Sequence, residues 1–192
     1  RKLGHSGTLD PMATGVLPVF VGQATRGVSF AESGDKEYLA VLRLGLVTNT
    51  QDTSGETLET HPVTADRKAL EALLPRFTGP IQQIPPMYSA IKIGGKRACD
   101  LLREGKEVEI PSREVTIHAL DLVAYHPEEK KILLDVQCSK GTYIRSLCLD
   151  IGAALGLPAT MSFLVRSRVG DFALADTLTL EELSEAGERA IL

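Results

Sequence analysis

Two strand-like segments joined by a short turn constrain the fold of this chain more than any other feature. Residues 115–125 and 131–138 are rich in β-branched and apolar side chains, and the turn His126-Pro127-Glu128-Glu129 connects them. A third strand is predicted over 37–44, where alternate positions are apolar and therefore share one face: Tyr38, Ala40, Leu42 and Leu44. The chain is therefore expected to build its core on a β-sheet.

Helical signals are few and separate these strands irregularly. Asp66 can cap a helix whose apolar stripe ends near Phe77, residues 143–155 give the strongest helical pattern, and Thr179 with Glu182 forms a capping box. The other predicted segments are a loop over 1–15, strands over 16–21, 88–93 and 161–169, a Gly94-Gly95 turn, and short helices over 23–31 and 98–105. Without regular βαβ alternation, this order predicts an α+β fold with a curved, mixed, mainly antiparallel sheet flanked by helices.

Composition excludes some classes of protein and leaves others open. The longest apolar run, 16–21, is far shorter than the ~20 residues of a membrane helix, and no targeting segment is visible. The three cysteines have no CxxC spacing, which is typical of reduced thiols in a cytoplasmic protein. The four histidines share no metal-ligand spacing with each other or with the cysteines, so no metal site is expected.

The net charge of −4 hides an uneven distribution. The last 22 residues hold six acids and one base, whereas 88–106 holds two acids and five bases, which are Lys92, Lys96, Arg97, Arg103 and Lys106. Phosphate binding needs local clusters of this kind rather than a basic total. A solvated helix face explains the cluster equally well, so composition permits an RNA partner without requiring one.

Asp10 is the first candidate for a catalytic group. It lies in the glycine-rich run GHSGTLDPMATG, where Pro11 favours an extended backbone for Asp10 and His5 precedes it by five residues. Such a loop can present a carboxylate to a ligand. The alternative is an ordinary Asp-Pro turn. The run is neither a phosphate-binding GxxxxGK[ST] loop nor a Ser-His-Asp triad.

Two further residues stand out against their surroundings. Arg145 falls in the first turns of the predicted helix 143–155, where a cation opposes the helix dipole, so it is a candidate partner for a buried carboxylate. The alternative for Arg145 is an ordinary surface arginine. Tyr38 interrupts an aliphatic strand and can be either a core residue or a functional one.

Taken in order, the motifs resemble those of the TruB-type tRNA pseudouridine synthases. They extend over nearly the whole chain to about Phe172: GHSGTLDPMATGVLPVFVGQATR, DKEYLAVLRLG, the TxDxxG loop at 50–55, IPPMYSAIKIGGKR and CSKGTYIRSLCLDIG. The resemblance implies the pseudouridine synthase fold and isomerisation of uridine 55 in the T-loop of tRNA by a monomer, without guide RNA, cofactor or membrane. It also implies a catalytic domain over 1–172 and an acidic helix or linker over 173–192, with the family's leading segment and C-terminal PUA domain outside this sequence.

The resemblance assigns roles residue by residue. It makes Asp10 the catalytic aspartate, Arg145 its partner, Tyr38 the aromatic platform for the target base, and His5 a brace for the flipped T-loop. It also makes 88–106 a mobile thumb over the RNA, although Cys99 stands where an aromatic residue is common. The remaining matched positions are Leu164 and Asp52 at the uracil pocket and Lys92, Lys96 and Arg97 as RNA contacts.

Chemistry at Asp10 agrees with this assignment. A carboxylate can act as a nucleophile or stabilise an oxocarbenium-like sugar, and an adjacent arginine is expected to lower its pKa. The main alternative is a non-catalytic RNA-binding or tRNA-folding module, which would not need Asp10, Tyr38 and Arg145 together. A glycosidase-like hydrolase is a weaker alternative, because no second carboxylate stands at a recognisable spacing.

Overall fold

The computed structural model describes residues 2–105 and 109–187, so Lys106 of the predicted thumb and Glu188 of the acidic segment lie outside the described residues. Strands are β1 Leu3–His5, β2 Thr14–Gly15, β3 Val19–Val21, β4 Lys36–Leu44, β5 Leu46–Thr48, β6 Thr57–Thr60, β7 Gly79–Gln83, β8 Lys92–Ile93, β9 Lys96–Arg97, β10 Arg113–His126, β11 Lys131–Cys138, β12 Ala159–Val169 and β13 Phe172–Ala173. Helices are α1 Val28–Glu32, α2 Arg67–Leu73, α3 Ala98–Arg103, α4 Ile144–Ala154 and α5 Leu180–Ala186, with 3-10 turns at Gly22–Gly27, Leu74–Phe77 and Leu174–Asp176.

A seven-stranded sheet forms the centre of the molecule. Its main path runs β13-β12-β4-β11-β10-β7 with antiparallel neighbours, and β2 adds a short parallel pairing to β12. The predicted α+β class with a mixed, mainly antiparallel sheet is confirmed. The alternating apolar face of β4 is confirmed as well, because its four predicted side chains are all buried: Tyr38, Ala40, Leu42 and Leu44.

The principal helix, α4, packs closely against this sheet. It buries Ile144, Leu147, Cys148 and Ile151. Gly152 permits the close approach, because a Cβ there would lie 2.4 Å from the Cβ of Ala159 at the start of β12. The predicted caps are confirmed on the shorter helices, where Asp66 accepts a hydrogen bond from the Lys68 amide and Thr179 forms the capping box with Glu182.

Three predictions for individual segments are wrong in part. The expected buried strand over 16–21 shrinks to β3, which pairs with β1 at a partly exposed edge, because Pro18 has no amide hydrogen for a ladder. The first 15 residues contain the short strands β1 and β2 besides the loop. The strand over 88–93 is reduced to β8, which forms a hairpin with β9 across the predicted glycine turn.

In the described part of the chain, no helix is long and apolar enough to cross a membrane.

Candidate active site

Asp10 lies on the loop between β1 and β2, and Arg145 lies in the first turn of α4. An Nη2 atom of Arg145 donates a hydrogen bond to Oδ1 of Asp10 at 3.0 Å, across 135 positions of sequence. The arginine side chain is 5% exposed and the aspartate side chain 29% exposed. The cation in the first turn therefore contacts a carboxylate, as sequence reasoning suggested, although the Asp10 side chain is only partly buried.

Further contacts hold the Arg145 guanidinium in place. Nη2 also donates to the carbonyl of Tyr88 at 2.9 Å, and Nη1 donates to the carbonyl of Thr50 at 3.1 Å. Nη1 also lies 3.8 Å from Oδ2 of Asp52. Because these acceptors come from two segments far from α4 in sequence, the β5–β6 loop and the chain at Tyr88, the orientation of Arg145 depends on the tertiary structure around it.

Asp52 is itself fixed by the polar loop between β5 and β6. Its side chain is almost completely buried, and its Oδ1 accepts hydrogen bonds from the Thr50 hydroxyl and from the amide and hydroxyl groups of Ser54. These hydrogen bonds fix the position of the Asp52 carboxylate beside Arg145. Asp52 therefore contacts the site through Arg145.

A buried glutamine secures the beginning of α4. Oε1 of Gln83 accepts a hydrogen bond from the amide of Tyr143 at 2.7 Å, and its Nε2 donates to the Tyr143 carbonyl at 3.0 Å. Three residues after Tyr143, the Ser146 hydroxyl donates to the carbonyl of Ile84, which follows Gln83, at 2.7 Å. These bonds attach the first turn of α4 to the end of β7, which sets the position from which Arg145 extends.

Asp10 faces a small pocket with a volume of about 110 Å³. On the scale of ~30 Å³ per liquid water, this is space for a few water molecules or one small planar group. The pocket is lined by Thr8, Leu9, Asp10, Tyr38, Thr142, Tyr143, Ile144, Arg145, Leu164 and Arg166. The structure therefore brings together four of the residues singled out in the sequence: Asp10, Tyr38, Arg145 and Leu164.

Burial changes the acidity of two groups in the pocket. Desolvation raises the pKa of Asp10 above its ordinary value, because it outweighs the lowering effect of Arg145, and the Asp52 charge adds to the rise. Arg145 lowers the pKa of Asp10 as expected, but the sequence did not indicate that burial would outweigh this effect. Burial also raises the pKa of Tyr38 to about 12, so its phenol stays protonated at neutral pH.

Four predicted RNA-binding residues lie outside this pocket. His5 is exposed on β1 opposite Val19, and Lys92 faces Arg97 across the β8–β9 hairpin. Lys96 in the same hairpin donates to Glu104 at 3.0 Å. The three basic side chains of the hairpin are exposed, as side chains that contact a phosphate backbone would have to be.

Sequence reasoning missed Arg166 and Gln83 as parts of the site. Arg166 follows Leu164 by two positions on β12, so both side chains lie on the same face of the strand. An arginine on the face that carries a pocket residue was the signal that could have identified it. Gln83 gave no comparable signal, because its role depends on a segment 60 positions away. Among the described residues, no group of three or more His, Cys, Asp or Glu side chains could hold a metal ion.

Comparison with known proteins provides the family. Residues 1–144 match the model of the TruB family pseudouridylate synthase (N terminal domain), and residues 145–190 match that of the tRNA pseudouridylate synthase B C-terminal domain. Proteins named tRNA pseudouridine synthase B from Heliobacterium mobile and Pseudomonas putida are 50% and 52% identical over 96% and 97% of this chain. A solved structure described as a Cbf5-Nop10-Gar1 complex superposes over the whole chain with a TM-score of 0.73 at 31% identity. The chain spans 61% and 60% of the two sequence relatives and 49% of the structural one.

Proposed function

The chain belongs to the TruB family of pseudouridylate synthases, and we propose that it isomerises uridine to pseudouridine at position 55 in the T-loop of tRNA. One observation carries this proposal: the Asp10–Arg145 ion pair lies in a pocket with a buried tyrosine and a leucine. The relatives' names supply tRNA as the substrate, and the sequence resemblance supplies the T-loop position.

The proposed reaction exchanges one glycosidic bond for another. The N1–C1′ bond breaks, the uracil turns, a C5–C1′ bond forms, and the hydrogen on C5 leaves as a proton while N1 gains one. No electrons are gained or lost overall. Ionised Asp10 supports the step in which charge develops at the sugar, either by bonding to the nucleoside or by stabilising the cation, as glycosidase carboxylates do. Arg145 holds the carboxylate in its ionised form and in a fixed orientation.

The target base has to leave the RNA stack to reach Asp10. An aromatic platform replaces part of the lost stacking, which is worth ~1–3 kcal/mol per base, and Tyr38 is the buried aromatic side chain positioned to do so. Leu164 adds an apolar wall to the same pocket. Because its phenol stays protonated, Tyr38 contributes contact and a hydrogen-bond donor rather than an anionic base.

The remaining RNA surface is proposed outside the pocket. Lys92, Lys96 and Arg97 on the exposed β8–β9 hairpin contact phosphates, and His5 braces the flipped loop. The chain acts as a monomer in the cytoplasm without a guide RNA. The catalytic domain extends over 1–172, and the acidic linker extends over 173–192. The proposed boundary falls within β13, the edge strand of the sheet, and the segment that follows contains α5, which has no buried residue among those described.

Pseudouridine formation can be measured directly. A T-stem-loop RNA labelled with tritium at C5 of its uridines releases label when C5 bonds to the sugar. We expect release by the protein, none by Asp10→Asn, and similar RNA affinity for both proteins. Asp171→Asn is the matched control, because it makes the same change in an exposed turn. A stem-loop with cytidine in place of uridine 55 tests the position.

Each result has a distinct meaning. Normal label release by Asp10→Asn would exclude Asp10 as the catalytic carboxylate. Binding of the stem-loop without label release by the unaltered protein would support the alternative of a non-catalytic RNA-binding module. Release from the cytidine-substituted RNA at the usual rate would contradict position 55 as the target.

A further inference from the structure

Arg166 is the largest of the fully buried side chains and is only 2% exposed. It extends from β12 and donates hydrogen bonds to three backbone carbonyls: from Nε to Val16 at 2.8 Å, from Nη2 to Gly7 at 3.2 Å, and weakly from Nη1 to Thr8 at 3.5 Å. Its guanidinium also hydrogen-bonds the phenol of Tyr38. Within the described ranges 2–105 and 109–187, no carboxylate lies within ion-pairing distance of it.

These three carbonyls lie on both sides of Asp10. Gly7 and Thr8 precede it on the loop, and Val16 follows the loop at its far end. The backbone of Arg166 adds a further bond to the loop: its carbonyl accepts a hydrogen bond from the Val16 amide at 2.8 Å. Arg166 therefore joins both ends of the loop that carries Asp10 to one position of the central sheet.

The cost of burying this cation argues for a specific role. A buried charge without an ionic partner is destabilising relative to an apolar side chain of similar size, so packing alone does not explain an arginine here. A planar guanidinium has donors directed to several sides at once, which suits it to bonding several carbonyls of one loop. Arg166 also lines the pocket that contains Asp10 and Tyr38.

We propose that Arg166 is a positioning residue for the isomerisation proposed above, holding the 7–16 loop against β12 so that the Asp10 carboxylate meets Arg145 and the target sugar. Its shape matters, because three separate guanidinium nitrogens reach the carbonyls before and after Asp10, whereas a lysine ammonium has all its donors on one nitrogen. Displacement of a catalytic group by about 1 Å can lower a rate on the order of 10²-fold. Loss of the guanidinium lowers the rate of the chemical step and leaves RNA affinity nearly unchanged.

The test compares Arg166→Lys and Arg166→Gln with Arg168→Lys and Arg168→Gln. Arg168 is the matched control, because it lies on the same strand and pairs with Glu37 at a half-exposed site away from the pocket. Under single turnover with the tritiated stem-loop, we expect both Arg166 variants to lose roughly 10²-fold in rate and less than about threefold in RNA affinity. Full activity in Arg166→Lys would show that charge alone suffices and would overturn the proposal.

Hydrogen exchange in the free protein separates this inference from the proposed function. The amides of Ala13 and Val16 are bonded within the loop and to β12, whereas the Leu147 amide is bonded inside α4. In Arg166→Lys, we expect faster exchange at the two loop amides and unchanged exchange at Leu147. Unchanged loop exchange, or an equal increase at all three amides, would overturn the positioning role. This readout applies even if the unaltered protein forms no pseudouridine, a result that would refute the proposed function alone.

Discussion

Gly15 allows the loop that carries Asp10 to lie directly against β12. Its φ is +110°, a left-handed value, and it pairs with Arg166 in the parallel β2–β12 contact. A Cβ added at Gly15 would lie 2.2 Å from the Arg166 carbonyl oxygen and 2.8 Å from the Arg166 amide nitrogen. Both are backbone atoms of a central strand, so the loop would have to move away in Gly15→Ala, and the bond from the Val16 amide to Arg166 would break.

The expected destabilisation has two parts. An alanine at a left-handed φ costs about 1–2 kcal/mol, and a lost backbone hydrogen bond costs about 1 kcal/mol. Gly15→Ala should therefore lower the free energy of unfolding by about 2–3 kcal/mol. Gly79→Ala is the matched control, because Gly79 has a φ of +96° and its added Cβ would meet no atom within 4 Å. The control carries the backbone strain alone, about 1–2 kcal/mol.

Urea unfolding measures the stability difference, and single-turnover release of tritium measures the effect on the site. We expect Gly15→Ala to unfold at a lower urea concentration than Gly79→Ala. We also expect its reaction rate to fall on the order of 10²-fold, because Asp10 moves with the loop, while Gly79→Ala keeps nearly the original rate. Equal unfolding midpoints together with equal rates would refute the claim that contact with β12 positions Asp10.

Two other predictions follow from the titrating groups. Burial raises the pKa of Asp10 and Arg145 opposes that rise, so Arg145→Gln should raise the pKa further. The acid limb of the single-turnover pH profile should therefore move to higher pH. An acid limb that stays in place or moves to lower pH would contradict the pairing of Asp10 with Arg145. Burial raises the pKa of Cys138 to about 11 and of Cys148 to about 12, whereas Cys99 is only half-buried. A thiol reagent at pH 8 should therefore modify one cysteine per native chain and three per denatured chain by mass spectrometry, and Cys99→Ser should remove the native reaction.

Local patterns were sufficient to predict the strands and helices with strong periodicity. The four long strands of the sheet and α4 occur within two residues of their expected bounds, because each presents a regular apolar face to the core. Asp66 and Thr179 were correctly identified as caps, because a cap acts on amides only two or three residues away.

The sequence could not reveal contacts that only the tertiary structure decides. Periodicity indicates that 16–21 is apolar, but the amide of Val16 bonds to Arg166, which lies 150 positions away. The family resemblance anticipated the pairing of Asp10 with Arg145. It did not indicate how Gln83 secures the start of α4, because a glutamine on an edge strand has the same local pattern with or without that role.

Asp10 shows why its immediate neighbours are insufficient to explain the site. Burial raises its pKa, which by itself favours the protonated form and would remove the anion that the proposed reaction needs. Arg145 opposes this effect, and its orientation is set by Asp52, by the Thr50 carbonyl of the same loop and by the Tyr88 carbonyl of another segment. A base entering the pocket would exclude water and strengthen both the desolvation of Asp10 and its attraction to Arg145. The carboxylate remains ionised in the closed site only if its loop is held at the short distance to Arg145, and the contacts of Gly15 and Arg166 with that loop maintain this distance.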